Sequence, residues 1–148
     1  MFLDRDGVIN VDLKYVYKIE DIKFLDGIFE FVHYFYSLGY IPLVVTNQSG
    51  IGRGFFTEKD FLILMDWIHK IFEKKGCPII ETLFCPHHPE AKINKFKKNC
   101  FCRKPSPGMI IKASQKYNLD LENSILIVDN FSYIEAANLA GIKCYYKI

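Results

Sequence analysis

Residues 2–7, with the sequence FLDRDG, constrain most strongly what this chain can fold into. Two apolar residues run directly into two acids and a glycine, as at the end of a buried strand. Carboxylates as close in the chain as Asp4 and Asp6 repel each other unless a cation lies between them or one holds a proton. The pattern is typical of a Mg²⁺ site in which one carboxylate can also act as a nucleophile. The alternative is a solvated turn that ends the strand.

The composition is that of a single globular domain. The chain has 148 residues, enough for one sizeable core and too few for two ordinary domains. Hydrophobic residues make up 50% and charged residues 24%, which is usual for soluble proteins. The net charge of +2 gives no support for a nucleic-acid or membrane partner. No apolar run reaches the length of a membrane span, about 18 residues. We expect the chain to be a monomer.

The cysteines indicate a reducing compartment. There are five of them, an odd number, and the acidic motif follows Met1 almost at once, so we expect no signal peptide. A cytoplasmic location fits these features best. In such a protein, clustered cysteines indicate a bound metal rather than disulfides.

Apolar periodicity predicts strands that alternate with helices along the whole chain. We predict strands over 1–3, 40–45, 79–84, 124–128 and 142–146. We predict helices over 28–38, 58–75 and 134–140, with a further helix capped by Ser106 and beginning at Pro107. Thr57 and Asp60 are expected to cap the second helix as a shortened capping box. This order indicates one α/β, Rossmann-like domain over residues 1–148, with a mainly parallel sheet, helices on both faces and a minimal cap.

Polar residues follow three of the predicted strands. In parallel sheets, ligands bind beyond the carboxyl ends of the strands, where the Asp4 and Asp6 loop, the Thr46 loop and Asp129 are all expected to lie. The Thr46 loop, residues 46–54, begins with a hydroxyl and two amides and contains three glycines. Exposed backbone N–H groups and small polar side chains suit an anionic ligand. The alternative is a flexible glycine loop without a ligand.

A zinc site is predicted in the irregular segment 85–102. Three thiols and one imidazole occur as two close pairs and supply the four ligands of a tetrahedral site. Such a set leaves no open position, which is typical of structural zinc. Binding worth about 10–16 kcal/mol can order a loop that has no core of its own. His88 is a rival imidazole that we expect to point away. The predicted ligands are Cys85, His87, Cys100 and Cys102.

Four blocks of the chain, residues 2–10, 46–50, 85–89 and 102–109, resemble the haloacid dehalogenase superfamily. Within it they resemble the D-glycero-D-manno-heptose 1,7-bisphosphate phosphatase family. The histidinol-phosphatase type shares the acids and the zinc loop, whereas residues 12–15 and 46–54 are more similar to the heptose enzymes. The blocks occur in order over nearly the whole chain.

The resemblance implies a role for each matching residue. Asp4 would attack phosphorus to form an aspartyl-phosphate, and Asp6 would protonate the leaving oxygen and then activate water. Mg²⁺ would be bound by Asp4, by the backbone carbonyl of Asp6 and by Asp129. Thr46 and Lys104 would hold the transferring phosphoryl group. Substrate contacts are expected from Asp12, Tyr15, Asn47, Gln48, Ser49, Arg53, Arg103 and Asn130.

The chain departs from the family pattern after its fourth predicted strand. The family usually has Gly-Asp-Lys-x-x-Asp, and here residues 128–133 read VDNFSY. Asn130 replaces the lysine and Tyr133 replaces the second acid. We therefore expect weaker substrate binding or slower turnover than is usual in the family.

Three hypotheses for function follow. The first is a Mg²⁺-dependent phosphatase with a structural Zn²⁺ that removes the 7-phosphate of a heptose 1,7-bisphosphate, a small sugar phosphate, on the route to nucleotide-activated heptose. The second is a phosphatase for histidinol phosphate or another small phosphate ester. The third is a non-catalytic phosphosugar-binding domain that has lost activity through Asn130 and Tyr133.

Overall fold

The computed structural model describes residues 1–147 and contains one five-stranded sheet. The strands are β1 (Phe2–Leu3), β2 (Leu43–Asn47), β3 (Glu81–Cys85), β4 (Ile125–Val128) and β5 (Cys144–Lys147). Their order is β3-β2-β1-β4-β5, and every neighbouring pair is parallel. The predicted α/β class with a parallel sheet is confirmed.

Within residues 1–147, five α-helices connect and flank these strands. They are α1 (Ile28–Ser37), α2 (Ser49–Arg53), α3 (Glu58–Lys74), α4 (Gly108–Tyr117) and α5 (Ile134–Ala140). Thr57 and Asp60 form the capping box predicted for α3. The prediction that Ser106 caps the next helix is wrong, because α4 begins at Gly108 and Pro107 occupies the cap position. Of the helices in the described part of the chain, none has the length and hydrophobicity that crossing a bilayer requires.

The helices cover both faces of the sheet, as predicted. Successive strand residues point to opposite faces, so Leu3 packs on the side of α1 and α3 while Phe2 packs on the side of α4 and α5. Each face has its own cluster of buried apolar side chains. The central strands are therefore buried on both sides, which is typical of parallel sheets.

The central strand β1 has only two residues. Both are fully buried, and Leu3 pairs with Val44 on one side and with Ile127 on the other. Pairing on both sides stabilises this short strand. Between β1 and α1 the chain forms a 3-10 turn at Ile19–Asp21 and no strand or α-helix. The cap is therefore minimal, as the sequence predicts.

The topology locates a crevice beside β1. The chain passes outward from β1 to β2 and β3, then returns to β4 on the other side of β1 and continues to β5. The strand order reverses between β1 and β4. Ligands of such folds bind at this reversal, beyond the carboxyl ends of the two strands. Asp4 and Asp129 follow β1 and β4 directly.

Candidate active site

A cleft of about 480 Å³ opens at the carboxyl ends of β1, β2 and β4. Eight of the predicted site residues line it, together with Lys14 and Tyr133. The predicted ones are Asp4, Asp6, Asp12, Tyr15, Thr46, Asn47, Asp129 and Asn130. The topology therefore brings residues from four separate segments of the chain to one cleft.

Asp4 and Lys104 form a buried ion pair at this cleft. Lys104 Nζ lies 2.5 Å from Asp4 Oδ2, and the exposed fractions of the two side chains are 1% and 5%. Asp4 Oδ1 accepts a hydrogen bond of 2.8 Å from the backbone N–H of Arg5. Burial lowers the pKa of Lys104, and the charge of Asp4 opposes that change. The pair holds one Asp4 oxygen against a cation in a water-poor environment, where their attraction is strong.

Asp129 adds a second carboxylate beside Asp4. Burial raises the pKa of Asp129, and the charge of Asp4 raises it further. Gly7 has a φ of +78°, and a Cβ at that position would overlap the carboxylate of Asp129. A glycine is required there both for its backbone conformation and for the close approach of Asp129. Two neighbouring carboxylates are the hard oxygen donors that Mg²⁺ prefers, so these residues fit that ion.

Asp6 is fixed by three side chains. Arg5 Nη2 donates to both of its oxygens, at 2.6 and 2.8 Å. Asn10 and Gln48 each donate one further bond of 3.1 Å. Arg5 itself is fully buried and also donates to the carbonyl of Val16 at 2.8 Å. The carboxylate of Asp6 is therefore held in one orientation.

The residues at the carboxyl end of β2 and directly after it have both structural and cleft-lining positions. Thr46 Oγ1 accepts a bond of 3.0 Å from Gln48 Nε2. The amide of Asn47 donates to the carbonyl of Lys104 and accepts from its N–H, both at 3.0 Å. Asn47 thus holds the Lys104 backbone beside β2. Gln48 binds Asp6 rather than lining the cleft, and Ser49 begins α2 outside it.

Arg53 and Arg103 lie beside the cysteine cluster rather than in the cleft lining. Arg53 Nη2 is 3.2 Å from His88 Nε2 and 3.9 Å from a carboxylate oxygen of Glu90. Arg103 Nη1 donates to the carbonyl of His87 at 3.3 Å. The imidazole of His88 therefore points away from the cysteines, as predicted.

The four predicted zinc ligands come together in one cluster. Their ligand atoms all lie within 4.8 Å of one another. Cys85 Sγ is 2.9 Å from Cys102 Sγ, 3.3 Å from Cys100 Sγ and 3.6 Å from His87 Nδ1. Burial raises the pKa of the Cys85 thiol. A bound cation would offset the cost of ionising this thiol, so the donor set fits a tetrahedral metal such as zinc.

Lys14, Tyr133 and Arg5 were not among the residues predicted from the sequence to form the site, although Tyr133 was named as a departure from the family pattern. Lys14 lines the cleft from the loop of Asp12 and Tyr15. Lys14 and Tyr15 both have positive φ values, 61° and 56°, and the N–H of Lys14 binds Asp12 Oδ1 at 2.8 Å. The position of Lys14 between two predicted substrate contacts, Asp12 and Tyr15, could have indicated from the sequence that it lines the cleft. Nothing local in the sequence indicates the contacts of Tyr133.

Comparisons with known proteins identify relatives over most of the chain. A family model described as "HAD-hyrolase-like" matches residues 101–146. A D-glycero-alpha-D-manno-heptose-1,7-bisphosphate 7-phosphatase of Burkholderia mallei is 50% identical over 142 residues, covering 96% of this chain and 75% of the relative. A D-glycero-beta-D-manno-heptose-1,7-bisphosphate 7-phosphatase of Photorhabdus laumondii is 43% identical over 142 residues, with 96% and 76% covered.

A solved structure shares the fold at similar coverage. It is the D,D-heptose 1,7-bisphosphate phosphatase from B. bronchiseptica complexed with magnesium and phosphate. The TM-score is 0.85 at 29% identity, covering 96% of this chain and 76% of that one. That protein binds both the ion and the anion that the cleft described here suits.

Proposed function

The chain belongs to the heptose-1,7-bisphosphate 7-phosphatase family of haloacid dehalogenase-like hydrolases, and from this premise we propose that it hydrolyses the 7-phosphate of a D-glycero-D-manno-heptose 1,7-bisphosphate. One observation carries the proposal. The Asp4–Lys104 ion pair lies at the reversal of strand order, with Asp129 beside it. The residues that we propose as nucleophile and as phosphoryl-binding cation thus lie together with a second carboxylate at the ligand-binding end of the sheet.

The proposed reaction has two steps. Asp4 attacks phosphorus, the bond from phosphorus to the sugar oxygen breaks, and Asp6 gives its proton to that oxygen. Asp6 then takes a proton from water, which attacks the aspartyl-phosphate and releases inorganic phosphate and free Asp4. Lys104 and Thr46 offset the charge that spreads over the phosphoryl oxygens. Asp6 lines the cleft together with Asp4, which supports its assignment as the proton carrier.

Two metals are part of the proposal. Asp4, Asp129 and the backbone carbonyl of Asp6 would hold Mg²⁺, which supplies charge neutralisation for the phosphoryl group when bound. Cys85, His87, Cys100 and Cys102 would hold a structural Zn²⁺. Arg103 and Lys104 follow that cluster directly, so the loop it orders would fix both cations. Substrate contacts are proposed for Asp12, Tyr15, Asn47, Gln48, Ser49, Arg53, Arg103 and Asn130.

The same proposal gives the reaction a place in metabolism. Removal of the 7-phosphate leaves a heptose 1-phosphate, the form that a nucleotidyl transferase would activate for a surface polysaccharide such as lipopolysaccharide. We propose that the chain acts there as a cytoplasmic monomer with a sugar phosphate as its partner. The curated relatives described above are named as heptose bisphosphate phosphatases, so histidinol phosphate is not favoured and serves only as a comparison substrate below.

A phosphate-release assay tests the function. The panel contains the α and β anomers of heptose 1,7-bisphosphate and histidinol phosphate, each with Mg²⁺ and with EDTA. We expect Mg²⁺-dependent release from one heptose anomer that Asp4→Asn abolishes. The matched control is Asp66→Asn, an exposed acid on α3 paired with Lys70, which should keep full activity. Faster release from histidinol phosphate would overturn the substrate assignment, and binding without release would favour a non-catalytic domain.

A further inference from the structure

The ammonium group of Lys104 has an aromatic neighbour in addition to Asp4. Lys104 Nζ lies 4.1 Å from the centroid of the Tyr133 ring. Tyr133 ends the 3-10 turn Phe131–Tyr133, which follows β4, and its side chain lines the cleft. A cation within about 6 Å of a ring centroid is attracted by the negative face of the ring. The attraction is larger where water is excluded, and Lys104 is buried here.

The backbone of Lys104 is held separately from its side chain. Asn47 fixes the backbone N–H and carbonyl of Lys104 by two bonds of 3.0 Å. These bonds do not set the direction of the side chain, which is a flexible chain of four carbons. Only Asp4 forms a hydrogen bond with Nζ among the residues that the structure describes. The Tyr133 ring is therefore the second group that determines where the ammonium lies.

The two contacts behave differently during the proposed reaction. When Asp4 forms the aspartyl-phosphate, its attacking oxygen becomes part of a new bond and no longer carries a full carboxylate charge. The ring of Tyr133 takes no part in bond making, so its attraction for the ammonium is unchanged. Burial, followed by the charge of Asp4, raises the pKa of the Tyr133 phenol, so the ring stays neutral at ordinary pH.

We propose that Tyr133 is a positioning residue whose aromatic face keeps the Lys104 ammonium directed at the phosphoryl group throughout the reaction. The proposal rests on the proposed function. It also gives a role to a residue that departs from the family pattern, since this chain has a ring where the pattern has an acid. An aromatic face would hold the cation without neutralising it, which leaves its charge available to the phosphoryl oxygens.

A fluorine series at position 133 tests the proposal. Tyr133→Phe keeps the ring and is expected to stay within about twofold of the parent in kcat/KM. Phenylalanines with one, two and three ring fluorines keep the shape of the ring but progressively weaken its negative face. We expect a stepwise fall that reaches about tenfold, mainly in kcat, and a parallel weakening of orthovanadate binding. A flat series for both measurements would overturn the proposal.

Two further comparisons separate positioning from structure. Phe131→Leu is the matched control, because Phe131 lies in the same 3-10 turn and carries its own cation, Lys147, at 4.5 Å from the ring centroid. It should change neither kcat nor orthovanadate binding. Tyr133→Leu should weaken orthovanadate binding in the parent but not in a Lys104→Met background, because Tyr133 acts through Lys104. Equal weakening in both backgrounds would overturn the proposal.

The readouts distinguish this inference from the proposed function. Orthovanadate and p-nitrophenyl phosphate test the phosphoryl site whatever sugar the protein prefers. If heptose bisphosphate is not hydrolysed but the fluorine trend holds with these probes, the substrate assignment fails and the role of Tyr133 stands. If heptose bisphosphate is hydrolysed and the trend is absent, the role of Tyr133 fails alone.

Discussion

Asn130 stabilises the local backbone although it also lines the cleft. Its Oδ1 accepts bonds from the N–H and the hydroxyl of Ser132, at 3.0 and 2.9 Å, and so caps the 3-10 turn that carries Tyr133. A lysine at this position would bring a cation to the cleft but could not make those bonds. Replacing Asn130 by lysine would therefore affect the site in two opposite ways, adding a charge and removing a cap.

We expect Asn130→Lys to lower KM for the bisphosphate severalfold, because it adds a positive charge beside the substrate. We expect little or no gain in kcat, since the turn that positions Tyr133 loses its cap. Steady-state kinetics of the parent, Asn130→Lys and Asn130→Ala separate these effects, because the alanine variant loses the cap without gaining the cation. An unchanged KM in Asn130→Lys would contradict the expected electrostatic gain.

Arg5 contributes mainly to stability. It is fully buried and forms a two-oxygen ion pair with Asp6. We expect Arg5→Met to lower the free energy of unfolding by about 3–5 kcal/mol, because it leaves the charge of Asp6 without its cation. The control is Lys70→Met, which breaks an exposed pair with Asp66 of the same length, 2.6 Å, and should cost under about 0.5 kcal/mol. Urea unfolding measures both, and equal losses would contradict this account.

At the residue scale, the sequence predicts the members of the cleft better than their contacts. Asp4 and Asp129 were predictable because acids that follow parallel strands meet at one edge of the sheet. The bond from Asn47 to Lys104 was not predictable, because it joins residues 57 positions apart. The contact of the Tyr133 ring with Lys104 was not predictable for the same reason, since the two residues are 29 positions apart. The catalytic and binding roles remain predictions.

At the scale of elements, the segment 86–107 depends on the cysteine cluster. Its only regular structure is the 3-10 turn Asn94–Phe96, and Lys104 lies directly beyond the cluster. We expect removal of the metal to loosen this segment and to displace Lys104, because only two of the segment's apolar side chains, Ala91 and Phe96, are buried in the hydrophobic core. Trypsin should then cleave after Lys97 or Lys98, and phosphatase activity should fall at least tenfold even with Mg²⁺ present.

The experiment compares chelated protein, Cys102→Ser and Cys144→Ser. Cys144 is exposed and lies outside the cluster, so its serine variant should keep both protease resistance and bound zinc. Cys102→Ser should match the chelated protein in both measurements. Resistance of the chelated protein to trypsin would show that the segment does not need a metal.

The helix α2 shows where element prediction from sequence fails. Residues 46–54 were predicted to be a loop because glycine is a poor helix former. In the structure, a Cβ on Gly50 would overlap the ring of Phe56, and one on Gly52 would lie 2.6 Å from the carbonyl of Pro86. Packing against other segments therefore imposes the helix and requires the glycines. By contrast, α3 was predicted well, because its apolar stripe and its capping box are both local signals.

For the whole molecule, the strand order brings two negatively charged side chains to one crevice. Asp4 and Asp129 end neighbouring strands, and burial together with the charge of Asp4 raises the pKa of Asp129 in the metal-free protein. Asp129 therefore binds its proton more tightly in the folded chain than in the unfolded chain. The stability that this proton contributes is present at low pH. It is lost as the pH rises from the ordinary carboxyl value, 3.8, through the raised pKa of the folded state.

Mg²⁺ should reverse this loss, because it binds the ionised carboxylates of the folded chain. At a free concentration of 100 times Kd, we expect it to stabilise the protein by about 2.7 kcal/mol at pH 7.5. The effect should be much smaller near pH 4, where protons compete for the same oxygens.

Asp129→Asn should raise the Tm of the metal-free protein at pH 7.5 and remove the response to Mg²⁺, whereas Asp66→Asn should behave as the parent. Thermal unfolding of the three proteins at both pH values, with and without Mg²⁺, measures these differences. A Tm shift by Mg²⁺ that is equal at the two pH values, or equal in Asp129→Asn, would mean that the ion binds elsewhere and that the crevice between β1 and β4 is not its site.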